Sequence, residues 1–259
     1  MLVYPQLSTG TLTQFPARKL RRMRTLINTL SDLTTVKLAD LHGATTEWRL
    51  EYAGLSNEEA SALQAFFSST EGSLNTFTFL DPMANLLSWT DRLDNQVWTT
   101  GSFLTLTGGV ADPIGGANGW HISNAGAGPQ SITQTLSVPG DYVYCVSVYV
   151  RASQGATVTV LLASKRGDRV ATGRWQRISF SALGDSGAES VAFGLEVPAG
   201  ASLDIFGLQA EAQPAASAYK SAKTGGVFEN AYFRDDQLSF TATGVNRHAV
   251  TVNIAHANG

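Results

Sequence analysis

The chain has 259 residues, enough for one large domain or two modest ones that each bury a core. Its formal net charge of −3 supplies no overall field for nucleic acid or an anionic membrane. Its single cysteine, Cys145, excludes an intramolecular disulfide framework.

No apolar run is long enough to span a bilayer, so membrane insertion is not expected. The first residues, MLVYPQLSTG, lack the basic and apolar regions of a secretory signal, and the sequence predicts folding in a cytosol. Residues 1–19 carry Pro5, Gly10 and Pro16 among small polar residues, the composition of an extended arm. A dense basic run follows, with Arg18, Lys19, Arg21, Arg22 and Arg24. One reading is a polyanion contact. The other is a strand end that meets acidic groups of a neighbour or of the same chain, which makes these residues candidates for a subunit interface. Phosphate binding needs many such contacts and this patch stands alone, so the second reading is preferred. Thr25–Leu30 and Val36–Ala39 read as paired strands around Ser31-Asp32.

The most consistent stretch runs from Thr45 to Pro82. Trp48, Leu50 and Tyr52 alternate with charged residues, the period of a strand with one buried face. Ser56 and Glu59 have capping-box spacing, and Ala60, Leu63, Phe66 and Phe67 form an apolar helical stripe. Gly72 suits the left-handed residue that stops a helix. Phe77 and Phe79 then alternate with threonines before Asp81-Pro82 breaks the strand. If buried, Phe66 and Phe67 brace the sheet.

After Pro82 the pattern changes to short apolar runs separated by turn residues: Gln130–Val138, Tyr142–Arg151, Thr157–Ser164, Trp175–Ser181, Ser190–Val197 and Ser202–Ala210. Six such runs without helical periodicity predict an antiparallel β-sandwich. Cys145 faces away from Tyr144 and Val146 and reads as a small packed residue. From about Lys223 strand patterning returns, with a C-terminal hairpin through Leu238, Phe240, Val250, Val252 and Ile254. A lone hairpin is only marginally stable, so it must join an existing sheet. The sequence therefore predicts a mainly β chain with one helix, of α+β class. A discontinuous domain takes residues 1–83 and 223–259, and a β-sandwich is inserted at 84–222.

The pattern W-R-L-E-Y-x-x-L-S-x-x-E, the following F-F, and F-x-F-x-D-P resemble the distal tail and minor tail proteins of long-tailed phages and their gene-transfer-agent counterparts. The resemblance covers about residues 1–83 and 223–259. It implies a structural protein of the virion tail tip, assembled in the host cytoplasm. The implied assembly is a homo-oligomeric ring, expected as a hexamer, whose partners are the tail tube, hub and fibre proteins. Within 84–222, Asn85-Leu86-Leu87-Ser88-Trp89, YVYCVSVYVR and Phe206-Gly207-Leu208-Gln209-Ala210-Glu211 are similar to jelly-roll modules of the carbohydrate-binding type found in phage tail proteins. That family usually has tryptophan where Phe206 stands. The implied ligand is host-surface carbohydrate, and the alternative role is a host-glycan-binding adhesion protein. A glycan-degrading enzyme is a further alternative, with no catalytic motif to support it.

His42, His121, His248 and His256 lack metal-ligand spacing, and no nucleophile or phosphate-binding motif occurs, so neither catalytic residues, metal nor cofactor is expected. Glu58 and Glu59 suit the helix N-terminus better than an acid pair. Trp120, in Asn118-Gly119-Trp120-His121, and Trp89 are the candidate glycan-stacking residues; each has an alternative as a core or sheet-edge anchor. Trp98 and Trp175 read as core.

Overall fold

The computed structural model describes residues 2–258, apart from the side chains of Leu41, His42 and Asn258. In chain order the elements are β1 (Ala17–Thr29), β2 (Thr35–Leu55), α1 (Asn57–Ser69), β3 (Phe77–Leu80), β4 (Thr99–Thr100), β5 (Leu104–Val110), β6 (Gly119–Asn124) and β7 (Gln130–Leu136). They continue with β8 (Val143–Arg151), β9 (Ala156–Leu162), β10 (Lys165–Ala171), β11 (Gln176–Leu183), β12 (Val191–Val197) and β13 (Ser202–Glu211). The chain closes on β14 (Val227–Phe233), β15 (Thr241–Gly244) and β16 (Arg247–Asn258). The described residues are mainly β with a single helix.

The chain divides into two compact units, one of residues 1–8, 13–79 and 228–259, the other of residues 9–12 and 80–227. In the first, one antiparallel path runs β1-β2-β16-β14-β3, and β15 pairs with β16. Trp48, Leu50 and Tyr52 point into its core with Val252, Ile254, Phe79 and Phe233. Both termini build this sheet, with Ile254 opposite Trp48 and Val252 opposite Leu50. The capping box forms: Glu59 N–H donates to Ser56 Oγ at 3.1 Å, and Ser56 N–H donates to Glu59 Oε2 at 2.9 Å. Glu59 also accepts from the backbone and hydroxyl of Ser8, at 3.0 and 2.6 Å.

Three features of this unit differ from the sequence reading. The first residues are not simply an extended arm, because Tyr4 is buried and its hydroxyl lies 2.8 Å from that of Tyr52. Glu71 as well as Gly72 takes a positive φ after the helix, so the stop begins one residue early. Phe66 and Phe67 are half-buried rather than fully buried, with their rings against Phe77 and Phe233.

Among the described residues, the distal half of the β1–β2 hairpin has no third strand. Pairs from Arg24–Asp40 to Thr29–Thr35 continue past Ala44, where β16 stops. Leu26, Ile27, Leu38 and Leu33 are exposed there, Leu33 at 83 %.

The second unit is a sandwich of two five-stranded antiparallel sheets, β10-β9-β12-β7-β4 and β11-β8-β13-β6-β5. Val146, Val148 and Val150 from one sheet meet Val158, Val160, Phe193 and Leu195 from the other in a shared core. Leu12, from the N-terminal stretch, belongs to this core. Cys145 is buried on the opposite face of β8. Burial, with a smaller contribution from the Glu211 charge, pushes its thiol up to about 11, which suits a packed residue and not a nucleophile.

Candidate functional site

The sheet β11-β8-β13-β6-β5 turns its alternate residues away from the core. Ile122, Val150 and Ile205 point inward, so their neighbours His121, Arg151 and Asp204 point outward. Register then sets these outward residues side by side: Thr107 lies opposite His121, His121 opposite Asp204, and Asp204 opposite Arg151. Trp175 precedes β11, whose first pair is Gln176 with Val150, and the Arg151 guanidinium carbon lies 4.8 Å from the Trp175 ring centre. The five residues form one row across the sheet. At a strand spacing of about 4.8 Å, the row is roughly 19 Å long.

The row is tied together internally. His121 Nδ1 and Asp204 Oδ1 are 2.7 Å apart, and Arg151 Nε donates to Asp204 Oδ2 at 2.7 Å. The side chains of His121 and Arg151 remain 46 % and 34 % exposed. They line a depression of about 310 Å³ with Ser153, Gly173, Ser202 and Asp204. The next row begins one pleat further on, where Arg177 lies over the Tyr149 ring and donates to Ser147 Oγ at 2.8 Å. Phe206 there is covered by Tyr219. An aromatic at 206 thus has a packing role, and phenylalanine fills it.

Trp89 occupies a second place on this unit. Its φ of +52° is unusual for a bulky side chain and needs surrounding structure to hold it. That structure is present. Trp98 Nε1 donates to the Trp89 carbonyl and Trp120 Nε1 to the Asp91 carbonyl, both at 3.2 Å. Ser88 N–H donates to Gln134 Oε1 at 2.8 Å. Lys223 Nζ lies 5.2 Å from the centre of the Trp89 ring, beside a smaller depression of about 180 Å³ that also includes Asp91, Arg92 and Ser221.

Trp120 itself has no face to offer. It is 8 % exposed, its ring belongs to the sandwich core, and a Cβ on Gly108 would come within 3.3 Å of it. Its loop-like neighbours suggested exposure, but β6 already begins at Gly119 and the pleat turns residue 120 inward. Trp98 is buried in the core as expected, whereas Trp175 is half-buried and lies outside the core cluster.

The basic run lies on β1. Arg22 pairs with Glu47 at 2.8 Å and Arg24 with Asp40 at 3.0 Å. Lys19 Nζ lies 5.5 Å from the Trp48 ring centre, and Arg18 and Arg21 are exposed. The remaining histidines are dispersed: His248 Nε2 lies 2.7 Å from Asn57 Oδ1, His256 is beside Phe228, and the His42 side chain is outside the described residues. Among the described residues no group of three or more His, Cys, Asp or Glu is placed to hold a metal ion.

No protein-family model matches the sequence, and no curated protein matches it. Several solved structures are similar over about half of the chain. The xylan-binding module CBM22-1 of Xyn10C from Paenibacillus barcinonensis is 15 % identical, with a TM-score of 0.40 over 51 % of this chain and 94 % of that one. The enzymatically active domain of tailspike protein 4 of bacteriophage CBA120 is 13 % identical, with a TM-score of 0.38 over 51 % of this chain and 22 % of that one. TmCBM61, solved with β-1,4-galactotriose, is 14 % identical, with a TM-score of 0.36 over 49 % of this chain and 97 % of that one. These are partial likenesses.

Proposed function

We propose that the chain is a glycan-binding adhesion component of a phage or phage-like tail tip, whose sandwich attaches to host-surface carbohydrate. The observation that carries this reading is the row Thr107–His121–Asp204–Arg151–Trp175. It combines a half-buried aromatic ring with polar side chains fixed by one another, on a sheet face turned away from the core. Sugar recognition needs a π-face for the ring's C–H groups and oriented hydrogen-bonding groups around it. Trp89 is a second candidate platform on the same unit. A glycan array with the full chain tests the proposal. Trp175→Ala is expected to weaken the captured glycan by about tenfold, a loss of roughly 1.4 kcal/mol. Trp89→Ala reports on the second platform. A protein that captures no glycan, or one indifferent to both changes, would sink the proposal.

A second reading, a structural tail-tip ring protein, has its own observation in the β1–β2 arm. A two-stranded ribbon that exposes Leu26, Ile27, Leu33 and Leu38 is poorly stabilised alone and is an aggregation hazard. Another copy of the chain covering those side chains removes both problems, and a head-to-tail contact of this kind forms a ring when its rotation closes. Arg18 and Arg21 lie on the same strand and would join that contact. Replacing residues 25–39 with Asn-Gly closes the hairpin at Arg24–Asp40. The shortened protein is expected to keep its thermal transition and to lose self-association in native mass spectrometry. An unshortened protein that stays monomeric at high concentration would rule the arm contact out.

A further inference from the structure

We infer that the row across the sandwich sheet reads an acidic sugar, through a planar carboxylate held by Arg151. The inference rests on the glycan-binding reading and names the class of glycan. Asp204 is the one carboxylate in the row, and both of its oxygens are already engaged, by His121 Nδ1 and by Arg151 Nε. Against a carboxylate, Nδ1 carries the ring proton, and Asp204 thereby holds His121 and Arg151 in fixed orientations. Arg151 lines the depression beside Ser153 and Ser202; its bond to Asp204 uses Nε, so the two Nη groups are the donors it keeps for a ligand, while the serine hydroxyls can donate or accept.

A neutral sugar presents hydroxyls that both donate and accept. A carboxylate brings acceptors alone, and the Nη groups of Arg151 bring donors alone, so the two match without an orphaned group. The guanidinium fork matches that group in shape as well as charge, because its two terminal nitrogens address two oxygens together. Arg151 is also fixed beforehand. Its Nε is bonded to Asp204 at 2.7 Å and its plane is backed by Trp175 at 4.8 Å. Little rotamer freedom is left to lose on binding. Because the chain as a whole is slightly acidic, attraction of a polyanion is local to this row.

The test uses the full chain and a panel of galacturonate, glucuronate and mannuronate oligosaccharides, each with its methyl ester and a neutral counterpart. The ester keeps the sugar ring and removes the charge, adding one methyl group. At least one free acid is expected to bind about tenfold or more tightly than its ester, the ratio expected of charge-assisted hydrogen bonds. Arg151→Lys keeps a cation but loses the fork, and is expected to bring acid and ester within about twofold with an unchanged thermal transition. Equal binding of acids and esters would overturn the acidic-sugar inference and leave glycan binding standing. Neutral glycans bound in preference would do the same. An acid preference that survives Arg151→Lys would overturn the assignment to Arg151. Capture of no glycan at all would overturn the reading beneath it.

Discussion

Phe79→Ala is expected to destabilise the discontinuous domain by about 3–5 kcal/mol, the range for truncating a fully buried phenylalanine. Phe79 is 0 % exposed, and its ring sits 4.9 Å from Trp48 and 5.5 Å from Tyr4, measured between centres. It therefore joins three parts of the sequence that lie far apart: the N-terminal segment, β2 and β3. The backbone reinforces that junction. Thr78 N–H donates to the Leu2 carbonyl at 2.9 Å and Tyr4 N–H to the Thr78 carbonyl at 3.0 Å. The cavity left by alanine has Trp48 and Tyr4 on its walls, two large rings that cannot collapse into it without leaving their rotamers. Phe66→Ala and Phe67→Ala should cost less, because both rings are only partly buried against the core. Equilibrium unfolding in urea, with hydrogen exchange to localise the loss to β2, β3 and β16, checks the order. Phe79→Ala within 1 kcal/mol of the parent, or cheaper than Phe66→Ala, would contradict this packing.

The sheet of this domain was readable because each signal is local. Trp48, Leu50 and Tyr52 occupy consecutive positions of one face, and Ser56 and Glu59 are three residues apart. Within the strand patterning from about Lys223, β14 was not delimited, because Glu229 and Asn230 interrupt its apolar pattern, with Asn230 at a positive φ. In the sandwich, β10 reads Lys-Arg-Gly-Asp-Arg-Val-Ala, and its pairing with β9 supplies what its composition does not advertise.

The candidate site is a different matter. Thr107, His121, Arg151, Trp175 and Asp204 are drawn from five separate stretches, and none is an unusual residue where it stands. Only the registers of β5, β6, β13, β8 and β11 align them. A one-residue slip in any pair would turn its member of the row into the core. Pleat parity also misdirected the tryptophans. A run beginning at Trp175 looked like core strand, but the strand starts one residue later and leaves the ring on the outward row. Trp89 was visible as an aromatic in a turn-rich opening. Its positive φ and the indole donors beneath it were not.

Asn85→Ala is expected to destabilise the sandwich by about 3 kcal/mol or more, although it removes only a small polar side chain. Asn85 is buried, and its single amide makes four hydrogen bonds. Oδ1 accepts from the backbone N–H of Leu87 and of Ala210, each at 3.1 Å. Nδ2 donates to the carbonyls of Leu208 at 3.0 Å and Lys220 at 3.3 Å. The side chain thereby fixes the opening of the insert to β13 and to the segment that leads out of it. Alanine strands two N–H groups and two carbonyls in a place where Leu86, Leu87 and Leu208 leave little polar company. Asn85→Asp separates the two halves of the amide. It retains an acceptor for Leu87 and Ala210 but turns a carboxylate oxygen towards the carbonyls of Leu208 and Lys220. If donation to those carbonyls matters, the aspartate variant should be at least as unstable as alanine at neutral pH, in the same thermal or urea transition. An aspartate variant as stable as the parent would leave only the accepting half with a role. An alanine variant within 0.5 kcal/mol, the range of ordinary surface changes, would mean that the opening segment is held by its leucines alone.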